Sequence, residues 1–168
     1  MLRFAWLLAV CSPLLATSTG EPIRRTGAAV DGGLDCSACH RGTPVNQGNG
    51  RVLVRANSYV PGVRQGITIE ITDPVALRWG FQITSRQVND ESKQAGTFTP
   101  TENIRVLCDA TGEAPCNGAG EFATHTAANT RSGTPGPQQT FLLEWTAPGR
   151  DVGPVVFYAA AMGSDNSR

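Results

Sequence analysis

The sequence predicts an all-β fold, an immunoglobulin-like antiparallel β-sandwich preceded by an irregular N-terminal lead-in. Three observations carry that prediction. The 168 residues include 19 Gly and 11 Pro, a composition suited to short strands joined by turns. Apolar and polar residues alternate with a period of two, most cleanly in Ile67-Thr68-Ile69-Glu70-Ile71-Thr72, so that three isoleucines share one buried face. The segments that follow repeat this pattern at regular spacing without a helical period, and a chain of this length has room for one domain with its own core.

Residues 1–20 read as a secretory signal peptide: Met1-Leu2-Arg3 supplies a short basic start, and Phe4 to Ala16 an apolar run too short to span a bilayer. Leu8-Ala9-Val10-Cys11 partly resembles a lipobox, but Val10 is bulkier than the small residue usual before a lipidated cysteine. Residues 21–50 form the lead-in, rich in Gly and almost without apolar periodicity. Residues 51–168 form the sandwich.

Its first strand is Arg51-Val52-Leu53-Val54, closed by the Pro61-Gly62 turn before the isoleucine strand. After Asp73-Pro74, Leu77 to Thr84 alternates again, and Leu77, Trp79, Phe81 and Ile83 are expected inward on a central strand. Gly96–Thr99, Asn103–Leu107, Glu121–Thr126, Phe141–Trp145 and Val155–Ala161 are further strand candidates, separated by turn formers. The stretch from Cys108 to Gly120 is an excursion; a Cys108–Cys116 disulfide would close it, stabilising the fold by roughly 2–3 kcal/mol.

Lys+Arg and Asp+Glu are equal at 14 each, so no net field draws the chain to nucleic acid or an anionic membrane. The signal peptide implies export to a periplasm, cell surface or extracellular space, where disulfides persist. No transmembrane segment is expected in the mature chain.

One motif carries chemistry. Cys36-Ser37-Ala38-Cys39-His40 has the C-x-x-C-H spacing at which two thiols add to haem vinyl groups and the adjacent imidazole ligates the iron. The first reading is therefore covalent haem c, with Cys36 and Cys39 as tethers and His40 as proximal ligand. The mature chain offers few partners for the other axial position: His125 is the second of two histidines, and Met162 the remaining methionine. His125 is preferred. The competing structural reading is a Cys36–Cys39 disulfide that pins the lead-in, and zinc ranks last because closing its shell needs four ligands. No Ser/His/Asp set, carboxylate pair or phosphate loop stands out, so no enzyme is expected.

The order of several segments resembles the Reeler-like β-sandwich domain, in the bacterial form called choice-of-anchor V. They are Cys36–His40, Tyr59-Val60-Pro61-Gly62, Arg78 to Thr84, Ala95-Gly96-Thr97-Phe98, His125-Thr126, Trp145-Thr146-Ala147-Pro148 and Val156 to Ala160, which together cover about residues 30–162. The resemblance implies a secreted, immunoglobulin-like sandwich serving as an extracellular or surface module. Similar domains continue past the Phe157-Tyr158-Ala159 strand into a last strand, whereas this sequence stops at Arg168, which leaves an open sheet edge or a truncated chain. Two functional expectations follow: an exported monohaem c-type module with an unknown redox partner, or a secreted binding and adhesion module with structural disulfides, an unknown surface partner and no haem.

Overall fold

The core strand of isoleucines forms as expected, with Ile67, Ile69 and Ile71 at most 3% exposed, and the rest of the sandwich is arranged around it. The computed structural model describes residues 22–109, 112–130 and 137–165. The signal peptide, Cys11 and the polar loop at 132–136 lie outside the described residues.

The strands are β1 (Arg51–Arg55), β2 (Arg64–Thr72), β3 (Arg78–Gln87), β4 (Asp90–Gln94), β5 (Thr97–Thr99), β6 (Ile104–Cys108), β7 (Gly112–Glu113), β8 (Glu121–His125), β9 (Gln138–Thr146) and β10 (Val155–Ser164). They pair antiparallel in two sheets, one ordered β1-β2-β9-β5 and the other β10-β3-β8-β6-β7, with β4 also on β3. Trp79, Phe81 and Ile83 of the second sheet meet Phe141, Leu143 and Trp145 of the first in one apolar cluster. Phe81 and Phe141 stack tilted across the layer with ring centroids 4.7 Å apart. The Trp145 indole N–H, which would be costly to bury unpaired, donates to the Ala95 carbonyl at 3.0 Å.

The structure corrects the sequence reading in several places. Leu77 is not inward: it lies one residue before β3, is 38% exposed, and spends its backbone N–H on the Ser164 carbonyl. The central strand runs three residues further than read, to Gln87, and β10 runs on through Met162 to Ser164. Strand β4 carries no apolar residue to betray it, and forms because β3 turns back on itself at Val88-Asn89.

The lead-in is less irregular than its sequence. Gly27 donates to Leu34 O, and Gly33 to Ala28 O, folding residues 27–34 into a closed loop around a 3-10 turn at Ala29–Asp31. Gly32 ends that turn at φ 93°, a left-handed conformation that glycine adopts without steric cost. A second 3-10 turn spans Cys36–Ala38.

Candidate functional site

Strand β3 is buried on both faces, and that places the lead-in. Its odd-numbered residues, Trp79 to Ser85, face the sandwich core, whereas Gln82, Thr84 and Arg86 point the other way yet are at most 4% exposed. The lead-in covers them. Gln82 Oε1 accepts the Arg25 N–H at 2.6 Å, and Gln82 Nε2 donates to the Pro22 carbonyl at 3.2 Å. Arg86 Nη2 donates to both carboxylate oxygens of Asp31, at 2.7 and 3.0 Å, in an ion pair with both side chains no more than 7% exposed. The same guanidinium lies over the Phe122 ring, 5.5 Å from its centroid, a cation–π contact. Residues 22–40 are thus a strap laid on the outer face of the six-stranded sheet.

The C-x-x-C-H motif is the far end of that strap. Asp35 caps its turn, accepting from the Ser37 N–H at 2.8 Å and the Ser37 hydroxyl at 2.6 Å. His40 N–H then bonds back to Cys36 O at 3.0 Å, so residues 36, 39 and 40 project from one helical turn. The turn packs against β10. Cys36 and Cys39 are both partly buried and unpaired. Burial, with the neighbouring Asp35 carboxylate second, pushes the Cys36 thiol up to about 11, which keeps it protonated at neutral pH and makes it a poor nucleophile. Among the described residues no cluster of three or more His, Cys, Asp or Glu is disposed to hold a metal ion.

His125, the last residue of β8, is 8% exposed. Its imidazole, rather than another strand residue, meets the backbone of Phe81: Nδ1 lies 3.0 Å from the Phe81 N–H and 3.1 Å from the Phe81 carbonyl. The Thr124 hydroxyl donates to that carbonyl at 2.6 Å. The ring covers Gly80 so closely that a Cβ there would sit 2.7 Å from Cε1, and Gly80 pairs with Met162 of β10. Burial lowers the His125 pKa, opposed by its bond to Phe81 and assisted by the proximity of His40 and Arg105. His40 is likewise lowered by burial. The fold therefore brings His125 of β8 over Gly80 of β3, beside Met162 of β10.

Cys108 and Cys116 form the expected disulfide, with Cα atoms 5.1 Å apart. Sequence reasoning missed Gln82, Arg86 and Asp31, since a polar residue on a strand reads as solvent-facing when the covering layer has no periodic signature.

A family model described as the Reeler domain matches residues 37–167, beginning inside the cysteine motif. The chain belongs to the Reeler domain family. As a Reeler domain it is a member of a non-enzymatic, extracellular type of module. Among solved structures, the human F-spondin reeler domain is similar at 19% identity over 72% of this chain and 85% of that one, with a TM-score of 0.45. A second fragment of that human domain is 20% identical over 73% and 80%, with a TM-score of 0.40. No curated protein matches.

Proposed function

We propose that this Reeler domain is an exported binding or adhesion module of the cell surface, of the choice-of-anchor V kind, acting through its surface and not by catalysis. The observation that carries the reading is the Cys108–Cys116 bond in a Reeler sandwich, since such a bond persists in an oxidising compartment. Glu121, the most deeply buried carboxylate, supports the non-catalytic part: its Oε2 accepts the Phe98 N–H at 2.7 Å, so it already bridges β8 and β5 within the fold. No described helix is long and apolar enough to cross a membrane, and the balance of charge does not favour nucleic acid as partner.

The test is to express the full chain with its own leader, locate it by fractionation, and measure retention of the purified labelled protein on intact cells. The reading expects a non-cytoplasmic protein whose Cys108 and Cys116 resist alkylation until reduced, and saturable retention. Reduced thiols in the cytoplasm, or no saturable retention, would overturn it.

A further inference from the structure

We propose that a groove on the β5 side of the sandwich, with Glu121 in its wall, is a recognition site for the ε-ammonium of a lysine on a partner protein. The inference rests on the surface-binding reading only for the existence of a partner. The two are tested apart, since lysine binding is measured on the purified protein and retention on intact cells.

Glu121 opens β8, and its side chain crosses from one sheet to the other. Strand β5 is the edge of its sheet and pairs with β9 on one side. On the other side its Phe98 N–H meets no strand, and Glu121 Oε2 accepts it at 2.7 Å. Around this crossing the end of β4, the start of β5, residues 118–121 and the 147–149 turn enclose a groove of about 480 Å³. Glu121 is 5% exposed. Its second oxygen, Oε1, makes no hydrogen bond or ion pair among the described residues, yet it is not sealed from solvent. It opens on the groove that Glu121 lines.

The amide side chains around it are spent within the fold. Gln94 Nε2 donates to Ser85 Oγ at 3.0 Å, Gln94 Oε1 accepts the Glu121 N–H at 3.1 Å, and Gln87 Nε2 donates to the Gln94 carbonyl at 3.2 Å. Glu121 Oε1 is therefore an unspent acceptor that carries charge, and its complement is a cationic donor. One free oxygen suits a compact ammonium. A guanidinium fork is matched by two parallel acceptors, and Oε2 is already committed to Phe98. Ala119, Ala147 and Pro148 line the same groove and offer apolar surface to the four-carbon stem of a lysine while its head reaches the carboxylate. Lys93 stands at the rim, but Asp90 holds it at 2.9 Å and offsets its charge. Burial of Glu121 without a cation raises its pKa, only partly opposed by the Phe98 N–H, and an ammonium at Oε1 would relieve that cost.

The experiment titrates the purified protein at neutral pH with Nα-acetyl-lysine methylamide, followed by amide chemical shifts. The norleucine analogue, which has the stem without the ammonium, the arginine analogue and glucosamine are titrated alongside. The proposal expects saturable shifts confined to residues 92–97, 118–121 and 147–149, with the lysine model bound most tightly. The norleucine model and the Glu121→Gln protein should each bind about tenfold more weakly or worse, the factor carried by one hydrogen bond to a charged group. Glu121→Gln keeps an oxygen for Phe98, so the fold is retained. If that variant does not fold, the Glu121 carboxyl carbon of the unaltered protein decides, since it should shift in step with the amides as the lysine model binds. Equal binding of the norleucine model, an unmoved Glu121 carboxyl carbon, full affinity in Glu121→Gln, or no saturable shift overturns the site. Tighter binding of glucosamine or of the arginine model overturns the assignment to lysine.

Discussion

Arg86 Nη2 bridges the two carboxylate oxygens of Asp31, at 2.7 and 3.0 Å, in an ion pair sealed between β3 and the lead-in with neither side chain more than 7% exposed. It joins the strap that bears the cysteine motif to the strand at the centre of the sandwich. Gly120 leaves it room, since a Cβ there would lie 3.3 Å from Arg86 Nη1.

A buried charge deprived of its partner is costly, so Asp31→Ala should destabilise the protein by about 3–5 kcal/mol, in contrast to the exposed pair Arg64–Glu144, whose loss should cost under about 1 kcal/mol. Urea unfolding of the two variants checks the contrast. Limited proteolysis should also cut Asp31→Ala first within residues 22–40. Equal stability of the two variants would mean that the strap is not held by this pair.

The Cys108–Cys116 bond closes a loop of sequence separation 8, for which chain entropy gives about 2.5 kcal/mol. Cys108→Ser/Cys116→Ser should lower stability by about that amount and leave the strand content unchanged. Denaturant midpoints with matched m-values, read alongside far-ultraviolet circular dichroism, measure it.

Gly96 adopts φ +69°, and a Cβ there would lie 2.3 Å from Thr146 O and 2.8 Å from the Trp145 ring. Neither neighbour can move cheaply, because one is backbone and the other is a core side chain. Gly96→Ala should therefore cost about 3 kcal/mol. The replacement Gly112→Ala, at φ +91° with nothing within 4 Å, should cost about 1 kcal/mol. Thermal unfolding of both separates packing from backbone strain.

Glu121 is 5% exposed, and burial raises its pKa above the ordinary value of 4.5, only partly offset by the Phe98 N–H. A raised carboxyl pKa in the folded state means that its contribution is full below pH 4.5 and is lost as pH rises through the folded-state value. Glu121→Gln, which keeps an oxygen for Phe98, should remove that loss. Melting temperatures of the two proteins from pH 4 to 7 should converge at the acid end, with the variant higher at neutrality.

The strands were legible because their cores alternate. Ile67, Ile69, Ile71, Trp79, Phe81 and Ile83 all bury as their period requires. Leu77 misled because it continues that period one step past the end of the ladder, where the chain has already turned toward Ser164. Strand β4 was invisible because Asp90-Glu91-Ser92-Lys93-Gln94 pairs at the surface, and pairing through backbone alone leaves no pattern in side chains.

The sequence by itself determined the β-sandwich, the Cys108–Cys116 pair and the residue types of the 36–40 motif, because periodicity and spacing are local quantities. Only the tertiary structure decided that the lead-in is a third layer on β3 and that the His125 ring closes over Gly80. Those facts depend on which face of a strand is covered, and by what. Gln82 and Arg86 look like solvent-facing polar residues until Pro22, Arg25 and Asp31 arrive from far along the chain to pair with them.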